Sequence, residues 1–258
     1  MSQRSAIEAA LVRDRWLIGG ALVTAVALSW AWIVPMARDM YGGMSGSAAW
    51  MMPAVWDARH TLLLGAMWIV MMGGMMLPSA APTLLIYAAV VRKSPAGDDV
   101  AARVYLFAGG YLVVWTGFSL LATLLQRLLA EGLVLSPMME LKSPLLGGAL
   151  LVVAGLYQLT PLKQSCLGSC RSPAAFIAQH WRSGRAGAWR MGLAHGIFCL
   201  GCCWALMLLL FVGGVMNLLW IAAITVFVLL EKIAPAGAQG GRLSGALLIA
   251  AGLWSAAH

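Results

Sequence analysis

Three of the chain's five cysteines lie in one apolar segment, HGIFCLGCCWALM. His195, Cys199 and Cys203 are spaced four residues apart, so they share one face of a helix. Cys202 and Met207 lie on or beside the same face. Thiolate and thioether ligands select Cu(I) or another soft ion. The spacing therefore predicts soft-metal ligands on this helix, although packing by small side chains would also explain neighbouring cysteines.

Methionines form a second group of soft donors. Ten of the 16 methionines fall between residues 36 and 76. The segment MWIVMMGGMMLP carries Met71, Met72, Met75 and Met76, in pairs spaced four apart on a helix. An external loop from residue 36 to residue 60 would add Met36, Met40, Met44, Met51 and Met52. Methionine is also a flexible packing residue, so the pattern leaves both the ligand and the packing interpretation open.

The remaining two cysteines, Cys166 and Cys170, form a CLGSC element that we predict to lie in a cytoplasmic loop. Nearby basic residues would favour their thiolate forms. Thiols oxidise outside the cell, whereas thioethers form no disulfides. A Cu(I) path is therefore expected to use methionine outside and cysteine within the membrane and inside, which is the order found along this chain.

The composition indicates a membrane protein. Of the 258 residues, 62% are hydrophobic and only 10% are charged, and the mean hydropathy is +0.86. A soluble domain of this length would carry about a quarter charged residues. We therefore predict one integral membrane domain over residues 1–258, with an all-α fold. The net charge of +8 is explained by cytoplasmic loops and anionic lipid, which leaves no reason to expect nucleic-acid binding.

Apolar stretches of about 20 residues predict a polytopic bundle of about seven transmembrane helices. Pro78 is expected to end or kink the second span, which either stops there or continues to Val91. Most Lys and Arg residues fall on the side that holds the N-terminus, so the N-terminus is predicted to be cytoplasmic. Glu231 and Lys232 are expected to form an ion pair at the interface. The predicted spans are approximately 16–35, 61–81, 104–126, 144–160, 191–212, 216–233 and 243–257.

Three segments carry a family resemblance: MWIVMMGGMMLPSAAP, GLYQLTPLKQSCLGSCRSP and HGIFCLGCCWALMLLLFVGGVMNLLW. They resemble a bacterial family of predicted metal-binding integral membrane proteins, domain of unknown function 2182, over roughly residues 60–235. The resemblance implies a multi-pass protein of the bacterial inner (cytoplasmic) membrane, and some family members carry a copper-chaperone label. It places the presumed metal residues at Met72, Met75, Met76, Cys166, Cys170, His195, Cys199, Cys202 and Cys203.

The sequence favours a protein that binds Cu(I), or another soft metal, over an enzyme. Such a protein would act in copper transport or in delivery to a cuproenzyme or metallochaperone. Two alternatives stay open. The paired cysteines would also suit a membrane thiol–disulfide oxidoreductase, and they would suit packing in a non-catalytic subunit of a larger membrane complex. The metal, the direction of transport and the oligomeric state are not determined by the sequence.

Overall fold

The computed structural model describes residues 3–42, 46, 56–94, 99–234 and 237–258. Within these ranges the chain forms helices and no β-strand, which confirms the all-α prediction. The helices there are α1 (Gln3–Gly42), α2 (Ala58–Lys93), α3 (Val100–Glu131), α4 (Pro144–Gln158), α5 (Pro161–Arg171), α6 (Pro173–His180), α7 (Gly184–Leu208), α8 (Leu210–Gly213), α9 (Leu218–Ile233) and α10 (Gly237–Ala257).

Four stretches of helix in the described residues are long and apolar enough to cross a membrane, and the number rises to five if the bent pair α4 and α5 is one span. The four are Leu11–Gly42, Ala58–Lys93, Val100–Glu131 and Gly184–Gly213. The last two predicted spans form as α9 and α10. However, α9 has only 16 residues, fewer than the roughly 20 of a typical span. α10 begins with the polar, glycine-rich sequence GAQGGR. Length and composition therefore support a helical membrane protein with four or five spans among the described residues, rather than the predicted seven.

Helix α1 is longer than predicted. Met36 and Met40, which the sequence assigned to an external loop, are buried residues of this helix, which continues to Gly42. Met44, Met51 and Met52 lie outside the described residues. The prediction of a loop beginning at residue 36 is therefore wrong, because the helix passes Pro35 and packs its methionines against the core.

Helix α2 also extends beyond the predicted span. It begins where the Asp57 side chain caps it by accepting a hydrogen bond from the backbone N–H of His60 at 2.6 Å. It then passes both Pro78 and Pro82 and ends at Lys93. Packing against α1 and α3 offsets the backbone hydrogen bonds that the prolines remove. The continuation past residue 81, which the sequence left open, is the correct interpretation.

Glycines bring α3 and α7 into backbone contact. A Cβ added at Gly192 of α7 would lie 2.0 Å from the carbonyl oxygen of Phe107. A Cβ at Gly110 of α3 would lie 2.5 Å from the carbonyl oxygen of Trp189. Small residues at membrane helix interfaces allow this close approach. The contact fixes the face of α7 that carries Cys199 against α3.

A second glycine contact joins α4 to α10. An added Cβ at Gly148 would lie 2.5 Å from the carbonyl oxygen of Gly252, and one at Gly155 would lie 2.7 Å from that of Gly245. The order of these pairs shows that the two helices run antiparallel. α10 is therefore packed closely along α4.

Candidate metal centre

The centre of the candidate site is the sulfur of Cys199, which is buried on α7. Lys232 of α9 donates a hydrogen bond from Nζ to this sulfur at 3.0 Å. The hydroxyl of Tyr111, on α3, lies 3.1 Å from the same sulfur. Lys232 also donates to the hydroxyl of Ser79, on α2, at 2.9 Å. Four helices therefore meet around one thiol.

Three further cysteines complete a thiol cluster, which we define as Cys170, Cys199, Cys202 and Cys203. Cys202 and Cys203 are buried, and their thiols donate to the backbone oxygen of Cys199 at 3.0 and 2.9 Å. Cys170 belongs to α5, and its Sγ lies 4.0 Å from Sγ of Cys202. The cluster thus takes three thiols from α7 and one from a different helix.

The bend between α4 and α5 brings Cys170 to this place. The Thr160 side chain caps α5 by accepting from the backbone N–H of Lys163 at 3.3 Å, and Pro161 occupies the first turn. The axes of α4 and α5 differ by 66°. The sequence predicted a loop around Cys166 and Cys170. That prediction is wrong, because the capped and proline-started segment is a helix packed against α7.

Cys166 faces α7 as well. A Cβ added at Gly201 would lie 2.7 Å from Sγ of Cys166, so the thiol sits directly over a glycine of α7. Cys166 is only partly buried, unlike Cys170. All five cysteines therefore lie at or near the contact between α5 and α7.

One sulfur–sulfur distance in the cluster matches that of a metal site, but the side chains are not arranged around a common ion. No group of three or more His, Cys, Asp or Glu side chains in the described part of the chain is arranged to hold a metal ion. However, two thiolates that each lie about 2.3 Å from one ion at about 120° are about 4.0 Å apart. The Cys170–Cys202 distance of 4.0 Å matches that value.

His195 lies one helical turn before Cys199, but its ring sits in an aromatic cage. Its ring centroid is 5.0 Å from that of Phe176, 5.7 Å from Tyr111 and 5.9 Å from Phe107. Nδ1 is buried and has no hydrogen-bond partner among the described residues. A buried polar atom of this kind is unusual and keeps His195 a candidate ligand.

The methionines predicted as ligands, Met71, Met72, Met75, Met76 and Met207, are all buried in the same core as the thiol cluster. The hydrogen bonds that connect α2 to α7 run through a side chain of α3. The Tyr111 hydroxyl donates to the backbone oxygen of Met76 at 3.1 Å and contacts the Cys199 sulfur. The Tyr111 hydroxyl therefore bridges the backbone of Met76 on α2 and the sulfur of Cys199 on α7.

Sequence reasoning missed the role of the charged residues. Glu231 does not pair with Lys232 at an interface. Instead, both carboxylate oxygens of Glu231 accept from Nζ of Lys163 at 2.7 Å, and both of these side chains are buried. Adjacent residues of a helix point about 100° apart, so two neighbouring charges in an apolar span must find separate partners. The sequence was therefore sufficient to predict separate partners for Glu231 and Lys232, but not to predict which residues these partners are.

A comparison with protein-family models matches residues 65–255 to the PpoB2 family, which is described as copper chaperone. The match covers most of the chain, from α2 into α10, and the chain belongs to this copper chaperone family. No curated protein and no solved structure matches the chain. The resemblance drawn from the cysteine and methionine segments is therefore confirmed, and it supports a function related to copper.

Proposed function

We propose that this protein binds Cu(I) within the inner membrane of a bacterium and acts in copper transport or delivery rather than as an enzyme. The observation that carries the proposal is the convergence of two helices on one thiol cluster, with Cys170 and Cys202 4.0 Å apart. Buried thiols with no disulfide among them are suitable soft ligands. Membership of a copper chaperone family supports the same metal.

The charge of the site suits Cu(I) bound by two thiolates. Cu(I) bound by two thiolates carries a net charge of −1, which one ammonium group balances. Lys232 supplies that group, 3.0 Å from Cys199. The same two thiolates bound to a divalent ion would be neutral and would leave the buried ammonium without a counter-charge, which is costly. The lysine is therefore a suitable counter-charge for Cu(I) bound by two of the four thiolates.

The proposal includes a topology of about seven spans with a cytoplasmic N-terminus. The distribution of Lys and Arg supports it. α9 is short and α10 begins with a polar sequence, but both helices pack into the bundle. α9 carries the buried Lys232, and α10 packs along α4. Methionine donors would then serve the outer side and thiols the inner side, with a cuproenzyme or metallochaperone as the partner. Reporter fusions after α2, α3, α7 and α9 test this arrangement.

Anaerobic titration of the purified full chain in detergent tests the metal site. Cu(I) is added in competition with a chromogenic Cu(I) chelator, and the bound metal is counted by elemental analysis. We expect the wild type to bind tightly and the Cys170→Ser/Cys202→Ser variant to bind at least tenfold more weakly. Cys166→Ser is the matched control and should keep its affinity, because Cys166 is partly exposed and packs over Gly201. Unchanged binding after replacement of Cys199, Cys202 and Cys203 together by serine would refute the site.

Thiol–disulfide exchange is the second candidate function, because Cys170 and Cys202 are close enough to form a disulfide after a small movement. Counting free thiols in metal-free protein before and after treatment with a quinone and with a dithiol reductant separates the two functions. A redox enzyme would cycle one disulfide without metal. A copper carrier would keep its thiols reduced while loaded.

A further inference from the structure

A cavity of about 360 Å³ opens between α1 and the C-terminal end of α2. Two exposed basic residues line it, Arg15 of α1 and Lys93 of α2. The other described residues that line it are apolar and belong to α2: Leu85, Ile86, Ala89 and Val90. A cavity with apolar walls and two cations at its edge suits an amphipathic anion rather than a small polar solute.

The apolar wall is a stripe on α2 that ends at the lysine. Leu85, Ala89 and Lys93 are spaced four residues apart, so they share one helix face. Ile86 and Val90 form the adjacent row. Leu85 and Lys93 lie about 12 Å apart along the helix axis. An acyl chain along this stripe would therefore place its headgroup beside the ammonium of Lys93.

A second cavity, of about 400 Å³, continues the first one around α2. The two cavities share Ile86 and Val90, which therefore lie between them. The other described residues that line the second cavity are uncharged: Ala174, Ile177, Ala178 and Trp181. A phospholipid has two acyl chains and one headgroup, so one chain fits on each side of Ile86 and Val90 while the phosphate stays at the basic end.

The two cations of the first cavity have no acidic partner among the described residues. Asp14 precedes Arg15, but both of its carboxylate oxygens accept from the guanidinium of Arg92, at 2.6 and 2.9 Å. This pair holds α1 against α2 beside the cavity. No ion pair within the described part of the chain includes Arg15 or Lys93. Their positive charges are therefore available to an external anion.

Exposed tryptophans indicate the depth of these cations in the membrane. Trp16 directly follows Arg15 and is 79% exposed, and Trp181, which lines the second cavity, is 38% exposed. Tryptophan is enriched at the level of the lipid headgroups. Basic pockets between membrane helices at this level bind anionic headgroups. The two cations are therefore placed where a lipid phosphate lies.

We infer that the two cavities bind one anionic phospholipid, with its phosphate at Arg15 and Lys93 and its acyl chains on either side of Ile86 and Val90. The inference goes beyond the proposed function and does not depend on it, because the site uses none of the cysteines or methionines. A lipid bound here contacts α1, α2 and α6 together. Its binding should therefore raise the unfolding temperature of the protein.

Native mass spectrometry of the purified full chain in detergent tests the inference by counting bound lipids. The probes are dioleoyl phosphatidylglycerol, which is anionic, and dioleoyl phosphatidylcholine, which has the same chains and no net charge. We expect one phosphatidylglycerol to bind at least about tenfold more tightly than phosphatidylcholine. The Arg15→Gln/Lys93→Gln variant should lose this preference. Arg13→Gln/Arg190→Gln is the matched control, because it removes the same charge from two exposed residues that line neither cavity.

Two outcomes of this experiment would overturn the headgroup site. In the first, the Arg15→Gln/Lys93→Gln variant keeps the preference for phosphatidylglycerol. In the second, the control variant loses the preference equally, which is a general effect of charge. Thermal unfolding gives an independent readout: added phosphatidylglycerol should raise the unfolding temperature of the wild type and of the control, but not that of the Arg15→Gln/Lys93→Gln variant.

The acyl part of the site is tested separately. Ala89→Phe fills the first cavity and keeps both cations, so the tightly bound phosphatidylglycerol should be lost although the charge is unchanged. Glycerol phosphate, which is a headgroup without chains, should not displace the lipid. Retention of the lipid by Ala89→Phe, or its displacement by glycerol phosphate, would show a site for a small anion and overturn the lipid site.

Discussion

Replacing Lys232 by methionine should weaken Cu(I) binding without weakening the fold. The ammonium of Lys232 lies 3.0 Å from the Cys199 sulfur and is buried. A Cu(I)–dithiolate complex is an anion, and the cation beside it offsets the cost of placing that charge in an apolar interior. In the metal-free variant, Cys199 is neutral once protonated, and the methionine fills a similar volume. Affinity and stability should therefore respond differently to the same substitution.

The distance gives the size of the effect. Two unit charges 3.0 Å apart interact by about 5.5 kcal/mol at an effective dielectric constant of about 20. The negative charge of the complex is shared between two sulfurs, so the nearer sulfur contributes about half, roughly 2.8 kcal/mol. Because about 1.4 kcal/mol corresponds to a factor of ten, Lys232→Met should weaken Cu(I) binding about 100-fold.

The assay compares three proteins by chelator competition and by thermal unfolding in detergent. Lys142→Met is the control for the loss of a lysine. Because Lys142 is exposed, this substitution should leave the Cu(I) affinity unchanged. Lys232→Arg keeps the charge and should bind more tightly than Lys232→Met. A Lys232→Met protein with an affinity within threefold of the wild type would refute the charge argument. A parallel fall in unfolding temperature and affinity would show that the lysine acts through the fold instead.

Two further predictions concern the bundle that holds the site, and thermal unfolding checks both. Lys163→Met should destabilise the protein by about 3–5 kcal/mol by leaving the buried Glu231 unpaired, and adding Glu231→Leu should recover most of that loss, so additive losses would contradict a coupled pair. Gly192→Ala should cost about 3 kcal/mol or more, because its Cβ would meet a carbonyl oxygen at 2.0 Å. Gly117→Ala is the control and should be neutral or stabilising by about 0.5–1 kcal/mol, because nothing lies within 4 Å.

The sequence predicted the helical fold and the membership of the family because both depend on local signals. Hydropathy marks apolar helices, and the spacing of His195, Cys199 and Cys203 defines one face of α7 whatever lies opposite. Helix ends were less predictable. α1 and α2 both pass prolines because tertiary packing offsets the local cost, and a single sequence does not show that packing.

The partners of the site could not be predicted because they are distant along the chain. Lys232 is 33 residues from Cys199, and Tyr111 is 88 residues from it. Cys170 is 32 residues from Cys202. Each contact depends on how two helices are oriented, and the side-chain pattern of either helix alone allows several orientations. The sequence therefore predicted which sulfur atoms are candidate donors, but it did not predict the hydroxyl and the ammonium that face the Cys199 sulfur.

The arrangement of the buried charges supports the proposal that an anionic complex occupies the thiol cluster. Lys163 and Glu231 neutralise each other, since both carboxylate oxygens accept from the same ammonium. Glu231 is thereby unavailable to Lys232, although the two residues are adjacent. The positive charge of Lys232 instead faces the Cys199 sulfur and the Ser79 hydroxyl. A cation held in this way is stabilised by thiolates, and two thiolates with one Cu(I) supply the matching charge of −1. The ion pair between α5 and α9 thus leaves Lys232 to face the cluster. Exchanging Lys163 and Glu231 for an apolar pair should therefore preserve the fold, and Cu(I) affinity should still depend on Lys232.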